Sequence, residues 1–381
     1  MIPDGCWRSH HPGLISASRK GEEEEQGARP TGAPPRVLIV GGDARQQAAL
    51  LQDHPRARRW SLPLTASVEE IARELSAHER VEHLVWLAPR TRLEPTDAQG
   101  FIAAQDEGVI AFFRFLKALL QLGYDARPLA WTIVTEQCLA ISARDEVQPA
   151  HAGLHGLAGA MAKEYTYWTV RVADVEPGVW PGAGLYALPT EPRGEVWVHR
   201  DGQWLRRRWA AFDGPRSEAS LYRRGGVYVV IGGAGGIGMA WSEFMLRRFG
   251  ARLVWIGRRS LDAEMESRLK TLRAWGDIQY ISADAAEPES LRRAYREIKA
   301  RHPQVHGLIH SALVLKDQSL AKMDEAQFRD ALRVKVDVSA GLAQVFGLHQ
   351  LGGRVYLPDG LHGQPRGLHL VQQHAQHGRV G

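Results

Sequence analysis

The sequence predicts an α/β fold in which parallel sheets are flanked by helices, arranged as two unequal copies of one unit. Three observations predict it. Short apolar runs alternate with stretches of helical periodicity over residues 36–346. VLIVGG at 37–42 reappears as VYVVIGG at 227–233, and VEHLVWLAP at 81–89 as VHGLIHSAL at 305–313. The composition, 44% hydrophobic and 24% charged over 381 residues, is that of a folded chain of about two or three domains.

Taken in order, residues 1–35 hold a run of four glutamates, Glu22 to Glu25, and Pro-Gly punctuation in TGAPP, with no hydrophobic period. They read as a tether or disordered leader. His10 and His11 lack a third ligand and are not expected to hold a metal. The first unit, 36–215, offers strands at 36–42, 81–89, 129–137 and 168–175, and helices at 67–76, 107–122 and 151–165. It closes on a hairpin at 195–209 turning at Asp201-Gly202, with the arginines of its second strand facing solvent. The second unit, 216–346, offers strands at 227–231, 252–257, 278–284 and 306–312, with helices at 238–249, 262–275 and 288–301. Gly41 lies 45 positions before Trp86, whereas Gly232 lies 78 before His310, so the first copy lacks one strand-helix unit. A tail occupies 347–381.

Composition narrows the function classes. Two cysteines, Cys6 and Cys138, form no disulfide framework, and the expected setting is the reducing cytoplasm. The most apolar helical stretch, 109–122, carries Arg114 and Lys117 and is too short to span a bilayer. Net charge is +5, with basic clusters at Arg56, Arg58 and Arg59 beside Trp60 and at Arg206 to Arg208 between Trp204 and Trp209. No groove-reading motif accompanies them, so nucleic acid is not an expected partner. The chain contains no asparagine, which excludes any chemistry that needs that side chain.

Chemistry concentrates in the second unit. IGGAGGIG follows a five-residue apolar strand and opens a helix; Gly232, Gly236 and Gly238 let the backbone approach a pyrophosphate that the helix's first amides then stabilise. The next strand ends in GRRS, and arginine there suits the 2′-phosphate of NADP, with Arg258 the first candidate and Arg259 the second. Asp284 ends the third strand, where it either accepts a bond from an adenine amino group or caps the helix beginning near Pro288.

These residues resemble the ketoreductase domains of modular polyketide synthases, within the short-chain dehydrogenase/reductase superfamily. The resemblance rests on VYVVIGGAGGIG, LVWIGRRS, the Asp284-Ala285 pair, HSALVLKDQSL at 310–320 and VKVDVSAGL at 334–342. It extends to WTIVTEQ and HAGLHGLAGAMAKEYTYWTVRVADVEP in the first copy, and so covers 36–346. It implies two Rossmann-like halves, a structural half followed by a cofactor-binding half. In the first, VLIVGG continues as DARQQAAL, without the later glycines, so no nucleotide is expected there. In the second, the resemblance implies NADPH held by Gly232, Gly233, Ala234, Gly235, Gly236, Ile237, Gly238, Arg258, Arg259, Asp284, Ala285, His310, Ser311 and Ala312. The implied substrate is a β-ketoacyl thioester on the phosphopantetheine arm of an acyl carrier protein, with other synthase domains as neighbours. Lys335 matches the family lysine that lowers the pKa of a catalytic tyrosine and bonds the nicotinamide ribose, and Asp317 resembles an aspartate linked to one hydroxyl configuration, here preceded by Lys316.

The pattern then breaks. The family continues with a strand ending in serine, then a tyrosine followed four positions later by asparagine. Residues 347–381 contain eight glycines, five histidines and five glutamines, and no serine, threonine or asparagine. Tyr356 is the only tyrosine after Lys335, and Gly360 stands four positions on. The catalytic serine and tyrosine thus have no counterpart, and the second half is expected to be incomplete, with the strand at 306–312 left as an exposed edge. The histidines at 349, 362, 369, 374 and 377 lack a reinforcing carboxylate or cysteine and are not expected to bind metal. The preferred hypothesis for the tail is a reading-frame change near residue 347, which sequencing the locus would test. The expectation is therefore a truncated, inactive NADPH-dependent ketoreductase or, alternatively, a non-catalytic module that binds NADP or a carrier protein.

Overall fold

A computed structural model describes residues 7–10, 35–61, 63–141, 145–207, 222–347 and 355–356. The first half forms around the apolar strands β2 (Val37–Gly41), β4 (His83–Leu87), β5 (Leu129–Glu136) and β6 (Trp168–Val175), which pair in parallel. Leu84, Val85, Trp86 and Leu87 are fully buried, as a strand covered by helices on both faces requires. Around them lie β1 (Trp7–His10), β3 (Arg58–Arg59), β7 (Val196–Arg200) and β8 (Gln203–Arg207), giving the order β1-β8-β7-β6-β5-β4-β2-β3. Helices α1 (Ala44–Asp53), α2 (Val68–Ser76), α3 (Ala98–Gln105), α4 (Ala111–Gln121) and α5 (Gly153–Glu164) cover the sheet. Ser67 and Glu70 form the capping box that starts α2.

The second half is a parallel sheet ordered β11-β10-β9-β12-β13, from β9 (Val227–Ile231), β10 (Arg252–Gly257), β11 (Ile278–Ser282), β12 (Gly307–His310) and β13 (Val355–Tyr356). Its helices are α6 (Gly236–Phe249), α7 (Ala263–Arg273), α8 (Pro288–Arg301) and α9 (Glu325–Phe346). Helix α9 joins the halves. Arg114 on α4 makes a two-point contact with Glu325, at 2.7 and 2.8 Å, and Phe113 stacks on Phe328 with ring centroids 4.5 Å apart.

Four expectations change. Trp7–His10, inside the stretch read as a leader, pairs antiparallel with β8, because its extended backbone meets an otherwise open sheet edge. The helix expected at 107–122 begins as a π-helical turn at 106–110, where Gly108 (φ −94°, ψ −106°) departs from helical geometry, and continues as α4, while α3 before it was not expected. β12 is not an edge: Leu308 and Ile309 pair in parallel with Val355 and Tyr356. Arg206 does not simply face solvent, for it ion-pairs with Glu191 and lies over the Trp197 ring, 5.4 Å from its centroid. The tail histidines and His11 lie outside the described residues.

Candidate nucleotide-binding site

The site begins where β9 ends. Gly232 has φ +78°, and a Cβ there would meet the backbone of Ala312 at 2.7 Å. A Cβ on Gly233 would strike the Trp255 ring, and one on Gly238 the Gly233 carbonyl at 2.6 Å. These three glycines are required by the protein's own packing. Gly236 is different, because a Cβ there would meet nothing within 4 Å. Helix α6 starts from Gly235 with no side-chain cap, so no capping side chain satisfies the amides of its first turn, at the positive end of the helix dipole. A cradle of bare amides beside an uncontested glycine fits a pyrophosphate. Ile237 is exposed beside it, and the Ala234 carbonyl accepts a bond from Arg268 on α7.

The two arginines after β10 are unlike. Arg258 is exposed and has no hydrogen bond or ion pair among the described residues; Asp330 is held below the usual carboxylate range chiefly by Lys316, with Arg258 contributing. Arg259 is engaged, at 2.6 Å from Asp262 and 2.8 Å from Glu264, and these carboxylates raise its pKa. Asp284 does not cap α8, whose N-cap is Glu287; its Oδ1 accepts from the Ala286 amide at 2.9 Å and its Oδ2 lies 3.7 Å from Arg333. Ala285 is buried in the core beneath.

On the far side, Ser311 donates to the carbonyls of Ile231 and Gly232, both at 3.1 Å, which ties the end of β12 to the glycine turn. His310 is fully buried with Nε2 2.9 Å from the Val334 carbonyl, and burial, with Lys335 nearby, lowers its pKa to about 4. Lys335 reaches the Ala312 carbonyl at 3.2 Å. The fold thus brings together the glycine turn, His310, Ser311, Ala312 and Lys335, from segments separated by up to about a hundred positions. Arg268 and Glu264 were not legible in the sequence, since charged residues on a helix give no sign of which turn they touch. Among the described residues no group of His, Cys, Asp and Glu is placed to hold a metal ion, and no helix is long and apolar enough to cross a membrane.

Fold and site define an α/β protein with a dinucleotide-type glycine turn in its second half. Residues 226–355 match the KR domain family. The chain is 42% identical over 315 residues to polyketide synthase PksM of Bacillus subtilis (strain 168), covering 82% of this chain and 7% of PksM. It is 39% identical over 329 residues to polyketide synthase ThaG of Burkholderia thailandensis, covering 85% and 6% respectively. The chain therefore spans well under a tenth of the length of these relatives. In fold it resembles an N-terminal ketoreductase from the macrolactin assembly line (TM-score 0.67, 15% identity, 89% of this chain and 70% of that one). It also resembles an A-type ketoreductase from a modular polyketide synthase (TM-score 0.67, 22% identity, 92% and 72%). Residues 226–355 thus carry a KR domain, within a chain similar over most of its length to segments of polyketide synthases.

Proposed function

We propose that the second half binds NADPH and that the chain derives from a domain reducing a carrier-protein-bound β-keto thioester to the β-hydroxy thioester, beside other synthase domains in the cytoplasm. The open space around Gly236, the first residue of the uncapped helix α6, is the observation that carries the nucleotide reading. In the proposed arrangement those amides hold the pyrophosphate and Arg258 takes the 2′-phosphate. Asp284 and Ala285 border the adenine, while His310, Ser311 and Ala312 form the wall near the nicotinamide. Lys335, fixed at the Ala312 carbonyl, presents its ammonium to the nicotinamide ribose. The cofactor, when bound, supplies a hydride. The alkoxide so formed requires a positioned acid, worth about 100- to 10,000-fold in rate.

That acid is what this sequence lacks in the proposed reading. β13 takes the place of the strand the family carries after α9, but it is followed by Leu357, Pro358, Asp359 and Gly360, with no serine or tyrosine. We therefore infer a module that binds the nucleotide without useful turnover. Incubating the chain with NADPH and a diketide thioester while following absorbance of the reduced cofactor tests this. Binding without turnover is expected; turnover abolished by Tyr356→Phe would make Tyr356 the acid and overturn the reading.

A further inference from the structure

We infer that Glu264 sets cofactor preference at this site, as a carboxylate that competes with the 2′-phosphate of NADPH for the guanidiniums of Arg259 and Arg268. The inference rests on the NADPH reading given above and concerns a residue that reading does not use. Glu264 lies in the first turn of α7, and its two oxygens are divided between two arginines: Oε2 is 2.8 Å from Arg259 and Oε1 2.7 Å from Arg268. Arg268 in turn donates to the Ala234 carbonyl, inside the glycine turn. One carboxylate therefore bridges the end of β10, where the 2′-phosphate is placed, to the loop that cradles the pyrophosphate. Its geometry is what a phosphate would adopt there, an acidic group accepting from guanidiniums on two sides.

Charge points the same way. Around the end of β10, Arg259 and Arg268 are matched by Asp262 and Glu264, while Arg258 acts on the more distant Asp330 without an ion pair. Asp262 is committed to local structure, since its Oδ1 caps α7 through the Met265 amide at 2.8 Å. Glu264 has no such duty: among the described residues its carboxylate oxygens bond only the two arginines. Replacing it by glutamine removes the competitor and leaves the guanidiniums an anion short. A phosphoryl dianion gains from that, whereas the 2′-hydroxyl of NADH carries no charge to gain with.

The test uses the full chain and titrates NADPH and NADH by calorimetry at low ionic strength. Glu264→Gln should tighten NADPH by about threefold to tenfold while NADH moves less than about twofold, the scale of one or two exposed ion pairs. Glu266→Gln is the control, because Glu266 pairs with Arg273 on the same helix and its loss changes the charge of α7 equally; neither nucleotide should respond. Arg259→Gln added to Glu264→Gln should erase the gain. Unchanged or weaker NADPH binding in Glu264→Gln, an equal gain for NADH, or the same gain in Glu266→Gln would overturn the inference while leaving the nucleotide reading intact. Failure of the unaltered chain to bind either nucleotide would instead overturn that reading, and this inference with it.

Discussion

The two halves share a strand, turn and helix beside a parallel neighbour strand, and meet the start of that helix in opposite ways. After β2, Asp43 accepts from the Gln46 amide at 2.8 Å and Gln46 answers to the Asp43 amide at 3.0 Å, so a capping box with a negative charge satisfies the opening turn of α1. Arg90 then crosses the gap between β2 and β4 to ion-pair with Asp43 and Glu136, and Gln46 reaches Glu136 at 2.9 Å. After β9, Gly235 leaves the same amides bare, and the gap between β9 and β12 is walled by backbone and the Ser311 hydroxyl. An open α/β sheet offers its crevice where the strand order switches direction. What fills that crevice, more than the fold, determines whether an anion can enter.

If the first half is scaffold, its polar interior should matter to stability and not to nucleotide affinity. Asp174 is fully buried and accepts from the Thr135 hydroxyl (2.7 Å), the Cys138 amide (2.8 Å), the Leu139 amide (3.1 Å) and Arg200 (2.7 Å). Asp174→Ala strands the Arg200 charge and should cost about 3–5 kcal/mol. Urea unfolding checks the loss, and calorimetry on the folded variant should return an unaltered Kd for NADPH. A shifted Kd would mean the halves are coupled.

Acid should separate the halves next. Burial lowers His83 and His151 in the first half to about 4, and His310 in the second likewise. For each, the folded pKa lies below the unfolded one, so the unfolded chain binds more protons between them. The stabilising contribution is complete above pH 6.5 and is lost as pH falls toward 4. At about 1.4 kcal/mol per unit, each imidazole withdraws about 2 kcal/mol on going from pH 6.5 to pH 5. Hydrogen exchange resolved by segment should show the first half losing about twice what the second loses. Equal losses would remove this distinction.

Much of the fold was legible because apolar runs buried on both faces announce themselves: β9, β10 and α8 fall at the residues the pattern indicated, 227–231, 252–257 and 288–301. Helix α1 gives a weak signal because Gln46 and Gln47 interrupt its apolar stripe, although Asp43 and Gln46 have the spacing of a capping box. β1 and β3 carry no pattern of their own, being short strands defined by backbone pairing to a neighbour. At the site, the glycines were legible by spacing and Lys335 only through the family resemblance, but the division of labour between Arg258 and Arg259 was not. It depends on Asp262 and Glu264, whose reach is a matter of distance.

That division yields a smaller effect. Arg258→Ala should weaken NADPH by about tenfold or more, the scale of a charge-assisted contact, and leave NADH nearly unchanged. Arg259→Ala should cost less, since its guanidinium is already shared between two carboxylates. Calorimetry with both nucleotides checks the order, and the reverse order would relocate the 2′-phosphate.

The smallest expected effect discriminates most sharply between the crevices. Gly236 is the first residue of α6, and a Cβ there would meet no protein atom within 4 Å. Gly42, in the corresponding turn of the first half, has φ +77°, and a Cβ would collide with the Leu87 side chain at 2.2 Å. Gly42→Ala should therefore only destabilise. Gly236→Ala reduces the freedom of the unfolded chain and suits a helix better, so the protein should gain about 0.4–1 kcal/mol. If the space beside Gly236 belongs to a pyrophosphate, the same methyl group should weaken NADPH and NADH alike, because both carry it. One substitution thus moves stability and affinity in opposite directions, and thermal unfolding paired with calorimetry reads both. A stabilised variant with unchanged affinity would show that no ligand approaches the glycine turn at this point.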